Sequence, residues 1–158
     1  MFPKQKGLNK YIRAKSLRDL GVKQIYNIPP LEEASSIQQR IIKLYNTVIE
    51  EYSLGDIRFM IGQNLGIDFL INIAFDHLKE NIFLDSEYYE GDLLSIILRI
   101  PSEFWEMHPT EKDKFLEILS TNYNIIIDQD LSLETNREIK KLAKEFIDGW
   151  RSLHWRSY

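Results

Sequence analysis

Three histidines, His77, His108 and His154, are the side chains of this 158-residue chain best suited to acid–base chemistry. They lie far apart in the sequence, and none has the short spacing to a second histidine that a metal site uses. Asp128 and Asp130 could contact a divalent cation, but two carboxylates in a turn are more typically solvated or cap a helix. The chain has no cysteine and no phosphate-binding loop, G-x-S-x-G or HExxH motif. We therefore expect no enzymatic activity, no cofactor and no metal.

A short segment between two predicted helices combines carboxylates with tyrosines and has no basic residue. Tyrosine gives a large, rigid contact area and carboxylates steer a basic partner, so the segment predicts a protein-binding surface. The alternative is a solvated loop with its tyrosines packed inward and Asp92 capping the helix that follows. The two interpretations carry equal weight for the glutamates. The candidate partner-binding residues are Asp85, Glu87, Tyr88, Tyr89 and Glu90.

Charge is distributed unevenly along the chain, although the net charge is only −4. Residues 1–23 have a net charge of +6, residues 24–136 of −13 and residues 137–158 of +3. The acidic body favours a cationic partner over nucleic acid, although dispersed acids could equally serve solubility alone. The basic ends leave an alternative function open, a small nucleic-acid-binding regulator. A flexible N-terminal arm and a C-terminal tail packed on the body would explain the same residues.

Helix-capping signals recur along the first half of the chain. Ser36 with Gln39, and Ser53 with Asp56, have the spacing of capping boxes at helix N-termini. Apolar residues follow each pair at helical spacing, and Gly66 is predicted to end the second of these helices. These patterns predict an all-α fold.

The domain organisation follows from the remaining patterns. Residues 139–150 repeat apolar side chains at i, i+3, i+4, i+7 and i+8, which predicts the C-terminal helix. Residues 123–127 are compatible with helix or strand. We expect one compact all-helical domain of about six to eight helices over residues 16–158, preceded by a basic flexible arm over residues 1–15. No segment has the length or composition of a membrane span or a secretory signal, so we expect a cytoplasmic monomer.

Several motifs in their order along the chain resemble one protein family. The chain is similar, over roughly residues 15–120, to the immunity proteins of bacterial contact-dependent growth inhibition (CDI) systems. The motifs that carry the resemblance are Ser16 to Leu20, Ile28-Pro29, Leu54 to Gln63 followed by Gly66, Tyr89 to Leu94, and Phe104-Trp105.

The resemblance implies a cytoplasmic protein without enzymatic activity. Such a protein binds the C-terminal toxin domain delivered by a neighbouring cell, one to one, and covers its active site or substrate groove. Many of these toxins are nucleases and therefore basic, which agrees with the acidic body. The shared motifs resemble fold determinants, so they do not locate the toxin-binding surface. Tyr89 and Glu90 belong to such a motif, which weakens the argument for these two residues.

Overall fold

The computed structural model describes residues 9–23 and 29–155, the last four through their backbone only. Over these ranges the regular elements are helices, accompanied by two isolated bridges and no strand, which confirms the all-α prediction. The one-turn helices α1 and α8 bring the number slightly above the six to eight expected. The α-helices are α1 (residues 9–13), α2 (Ser36–Tyr45), α3 (Leu54–Gly62), α4 (Ile67–Glu80), α5 (Asp92–Leu98), α6 (Ser102–Met107), α7 (Pro109–Thr121), α8 (Tyr123–Ile127) and α9 (Glu134–Trp155).

The chain forms two compact units whose boundary falls within α4. The first unit is Met1–Ile73 and the second is Ala74–Tyr158. That residues 16–158 form one domain stays a prediction. Of the predicted arm, residues 9–13 are helical and residues 1–8 lie outside the described residues. No helix in the described ranges has both the length and the apolar character needed to cross a membrane.

In the first unit, α2 and α3 each begin at a reciprocal serine cap. Ser53 Oγ accepts a hydrogen bond from the Asp56 N–H at 3.1 Å, and the Asp56 carboxylate accepts one from the Ser53 N–H at 3.0 Å. This confirms the second predicted capping box. The first is wrong by one residue, because α2 is capped by Ser35 with Gln38. The sequence contains two overlapping Ser-x-x-Gln pairs, and their spacing does not distinguish between them.

Helices α2 and α3 pack together through Arg40, which contacts a carboxylate and an aromatic ring. The Arg40 guanidinium lies 3.1 Å from the Asp56 carboxylate, and it stacks over the Phe59 ring at 4.3 Å from the ring centroid. The Tyr52 hydroxyl donates a hydrogen bond to the Leu44 carbonyl near the end of α2. These contacts fix the approach of the two helices inside the first unit.

Helix α3 ends at Gly62, so the predicted end at Gly66 is wrong. Asn64 takes the left-handed conformation, with φ of 57°, and the Leu65 N–H returns to the Met60 carbonyl at 3.0 Å. This is the bond pattern of a Schellman cap, in which asparagine replaces the more common glycine. Gly66 instead forms the entry to α4, with φ of +68°, and packs against the fully buried Leu17.

In the second unit, α9 is the central element and packs against α5, α7 and α8. Its predicted apolar face is confirmed, since Ile139, Ala143 and Ile147 are buried. A cluster of aromatic rings fills the core between α4, α6, α7 and α9. The ring-centroid distances are 5.6 Å for Phe75–Phe115, 5.3 Å for Trp105–Phe115 and 5.2 Å for Trp105–Phe146.

The ambiguous segment of residues 123–127 is the single-turn helix α8, with Ile126 buried. Its turn is closed by the Ile126 N–H, which donates to the Asn122 carbonyl at 3.0 Å, while the Asn122 side-chain amide donates to the Ile118 carbonyl at the end of α7 at 2.8 Å. The Asp130 carboxylate accepts a hydrogen bond from the Ser132 N–H at 2.9 Å. It therefore shapes the connection that precedes α9 and does not cap the helix itself.

Candidate partner-binding site

The candidate residues occupy a closed loop between α4 and α5. Asp85 and Glu90 form an antiparallel bridge, which draws residues 86–89 into a narrow turn. The Gly91 N–H donates to the Leu84 carbonyl at 3.2 Å and completes the base of the loop. We call residues 85–90 the acidic loop.

A single buried carboxylate organises the interior of the acidic loop. Asp92 is fully buried at the start of α5. Its Oδ1 accepts hydrogen bonds from the Ser86 N–H at 2.8 Å and the Ser86 hydroxyl at 2.7 Å. Its Oδ2 accepts the N–H groups of Glu87 at 3.1 Å and Tyr88 at 3.0 Å. Three consecutive backbone amides therefore point inward at one carboxylate, and this fixes the conformation of the loop.

These hydrogen bonds keep Asp92 ionised despite its burial. Burial by itself raises the pKa of a carboxyl group, because the charged form loses its hydration. The backbone N–H groups of Tyr88, Ser86 and Glu87 and the Ser86 hydroxyl outweigh burial and hold the pKa of Asp92 below its ordinary value. The loop is thus built around a negative charge that persists at neutral pH.

Gly91 lets the base of the loop pack closely against α9. Its φ of +90° lies in the left-handed region that favours glycine. A Cβ at this position would lie 2.9 Å from Phe83 Cδ1 and 3.0 Å from Ile139 Cδ1, so there is no room for a side chain. Buried Phe83 and Ile139 therefore anchor the loop on the N-terminal half of α9.

The structure brings all five predicted residues together on this loop. The side chains of Asp85, Glu87 and Glu90 are exposed, Tyr88 is 63% exposed and Tyr89 is half-buried. The solvated-loop alternative with both tyrosines packed inward is therefore wrong for Tyr88. A partner-binding role for the five residues stays a prediction.

The role of Asp92 differs from the one expected from the sequence. It was considered as a cap for α5, but the N-cap position is Gly91 and the Asp92 carboxylate faces back toward the loop. Sequence spacing does not predict the hydrogen bonds from Asp92 to the loop, because they form only when the chain reverses between Asp85 and Glu90. The only sequence signal is an acid that follows a glycine directly at the start of a helix.

His108, at the C-terminal end of α6, is held by Phe104. His108 Nδ1 lies 2.8 Å from the Phe104 carbonyl, and its ring stacks on Phe104 with centroids 4.1 Å apart. The His154 side chain lies outside the described residues. Within the part of the chain that the structure describes, no group of three or more His, Asp or Glu side chains could hold a metal ion.

The acidic loop lies in a part of the chain that matches a known protein family. Residues 22–115 match the model of a family described as CDI immunity proteins. No curated protein and no solved structure matches the chain significantly. The matched segment contains the acidic loop and ends within α7, so α8 and α9 lie beyond it.

Proposed function

The chain belongs to the family of CDI immunity proteins, and we propose that it neutralises its cognate toxin domain by binding it through the acidic loop. Membership makes it an immunity protein against a CDI toxin. The proposal adds the surface, a one-to-one stoichiometry and the cytoplasm as the place of action. It requires binding alone and no catalytic group on this chain.

The observation that carries the proposal is that the acidic loop is both exposed and held in one conformation. Asp92 satisfies the amides of residues 86–88 from inside, while Glu87 and Tyr88 are exposed on the outside. A loop already held in its binding conformation loses little conformational entropy when it binds. Tyrosine at the centre of such a loop is a typical contributor of binding energy.

The negative charge of this chain supports the proposal that the acidic loop binds a basic surface of the toxin. Residues 24–136 have a net charge of −13, and the loop contributes Asp85, Glu87 and Glu90 to it. Proteins that act on nucleic acid use basic grooves to hold phosphates. We therefore propose that the toxin is a nuclease and that the acidic loop covers its substrate groove.

Co-expression tests the proposed function directly. The C-terminal domain of the large exported protein encoded immediately upstream would be expressed alone and together with this chain, and surviving cells would be counted. We expect toxicity alone and survival with this chain, and a co-purified complex with one copy of each. A toxic domain that this chain fails to neutralise would contradict the proposal.

A further inference from the structure

A second exposed surface lies at the connection between α8 and α9, outside the segment matched by the family. Three large apolar side chains are exposed within nine residues of chain. They are Ile125 at 50%, Leu131 at 41% and Leu133 at 54%. We call residues 125–134 the α8–α9 corner.

The backbone of the α8–α9 corner is held in place by polar side chains. Arg137 Nη1 donates to the Leu131 carbonyl at 2.7 Å and to the Ser132 carbonyl at 3.1 Å. The buried side chain of Asn136 donates to the Asp130 carbonyl at 3.0 Å. The Asp130 carboxylate accepts the Ser132 N–H, as described above. The corner is thus ordered while its leucines are exposed.

The composition of the α8–α9 corner matches a partner that is basic around an apolar centre. Leu131 and Leu133 are exposed two residues apart, and exposed apolar side chains that occur together mark an interaction surface more often than single ones do. Asp128, Asp130 and Glu134 are exposed in the same segment, whereas the one basic side chain described at the corner, Arg137, is hydrogen-bonded to its carbonyls. An apolar centre with a charged rim is the usual anatomy of a protein interface, and the acidic rim selects a cationic partner.

The α8–α9 corner lies close to the acidic loop along α9. Gly91 at the base of the loop packs on Ile139, and Leu133 precedes Ile139 by six residues. At the helical rise per residue, this separation is about 9 Å along α9. The base of the acidic loop and the α8–α9 corner therefore both lie at the N-terminal end of α9.

We propose that the α8–α9 corner binds the same toxin domain as the acidic loop and supplies the apolar part of the interface. This inference rests on the proposed function. Immunity is specific to one toxin, so contacts outside the family-matched residues are suited to recognise it. The leucines provide apolar contacts, and Asp128 and Glu134 add to the attraction of a basic toxin.

Titration of the purified toxin domain with variants of the full chain tests the inference. The variant Leu131→Ser/Leu133→Ser removes the apolar centre. Met107→Ser is its matched control, because Met107 is 78% exposed in the same unit but lies at the end of α6. We expect the double variant to bind at least 10-fold more weakly at an unchanged melting temperature, and the control to bind like the wild type.

The variant Asp128→Lys provides a second measurement that leaves the leucines in place. We expect it to slow association with the toxin domain several-fold at low salt, because it places a positive charge on the acidic rim. This variant tests toxin binding by the α8–α9 corner even if the serine variant fails to fold.

The outcomes separate this inference from the proposed function. Failure of the wild-type chain to bind the toxin domain would overturn both. Wild-type affinity for the leucine variant, with weakened binding by Glu87→Lys/Glu90→Lys, would overturn the inference alone. Light scattering tests whether a second copy of this chain binds the corner instead. If the wild type is a dimer and the leucine variant is a monomer with unchanged toxin affinity, a second copy is the occupant and the inference is overturned.

Discussion

The Oδ1 atom of Asp92 accepts hydrogen bonds from both the backbone N–H and the hydroxyl of Ser86, at 2.8 and 2.7 Å. This double contact ties the exposed acidic loop to a fully buried position at the start of α5. Binding loops are commonly the most mobile part of a protein. In this protein a buried charge sets the conformation of the loop, so substitutions in the core can change the surface that a partner meets.

We predict that Asp92→Asn destabilises the protein by about 2 to 4 kcal/mol. The amide has one acceptor oxygen, so it can still accept from Ser86, but its NH₂ group faces the N–H groups of Glu87 and Tyr88. Two part-buried N–H groups then lose the acceptor that Asp92 provides. Guanidinium unfolding measures the free energy, and hydrogen exchange at residues 86–88 should become faster.

Asp85→Asn is the matched control for this prediction. It removes one negative charge from the same loop, but Asp85 is exposed. We expect a change within about 0.5 kcal/mol, as for ordinary surface substitutions. Equal destabilisation by the two variants would show that the loss of charge, and not the loss of the buried acceptor, is responsible.

Acidification should destabilise the protein below about pH 4. The pKa values of Asp92 and Asp56 are held below their ordinary values in the folded state. Their contribution to stability is therefore complete above the unfolded-state pKa of about 3.9 and is lost as the pH falls through the lower folded-state values. Urea unfolding from pH 7 to pH 2 measures this loss. The Asp92→Asn curve should be shallower over the acidic range, and parallel curves would contradict the assignment.

Gly66→Ala should destabilise the protein by about 2 to 4 kcal/mol. The φ of +68° is strained for alanine, and the new Cβ would lie 2.6 Å from Cδ2 of the fully buried Leu17. Gly149→Ala is the opposite case, since its Cβ would meet nothing within 4 Å and Gly149 lies inside α9. We expect the latter to be neutral or stabilising by up to about 1 kcal/mol, because alanine favours helix over glycine. Thermal unfolding measures the stability of both variants. A melting temperature lower for Gly149→Ala than for Gly66→Ala would contradict the prediction.

The sequence predicted most helices because their signals are local. The serine cap and apolar spacing are sufficient for α3, and the long apolar periodicity is sufficient for α9. Helix ends were less predictable, because Asn64 takes the left-handed cap position that is more often occupied by glycine, and the chain has a glycine two residues later. The conformation of α8 depends on the burial of Ile126 against its neighbours, which three consecutive isoleucines do not indicate.

The residues of the candidate site were predictable, but their arrangement was not. Composition identified the acidic loop, since carboxylates and tyrosines occur together without a basic residue. The inward position of the amides around Asp92, and the outward position of Tyr88, depend on contacts between residues that close a loop. The α8–α9 corner was missed because two leucines among acidic and small polar residues resemble an ordinary connection until Arg137 is seen to hold it.

We predict that the chain does not retain labelled RNA or duplex DNA at micromolar protein concentration. The net charge of −13 over residues 24–136 repels phosphates, and phosphate contacts supply most non-specific affinity. Electrophoretic retention measures this, with a variant lacking residues 1–15 as the comparison. Retention by the full chain that disappears with the deletion would favour the alternative function as a nucleic-acid-binding regulator.

The association rate with the toxin domain tests the central claim most directly. It would be measured at low and at moderate ionic strength for the wild type, for Glu87→Lys/Glu90→Lys, and for Glu103→Lys/Glu106→Lys. The last pair is the matched control, with the same change in charge at exposed positions of α6. We predict that the wild-type rate falls as salt rises and that the loop variant associates at least 10-fold more slowly than the control at low salt. Equal rates for the two variants, or a wild-type rate insensitive to salt, would contradict the claim that the acidic loop binds the toxin.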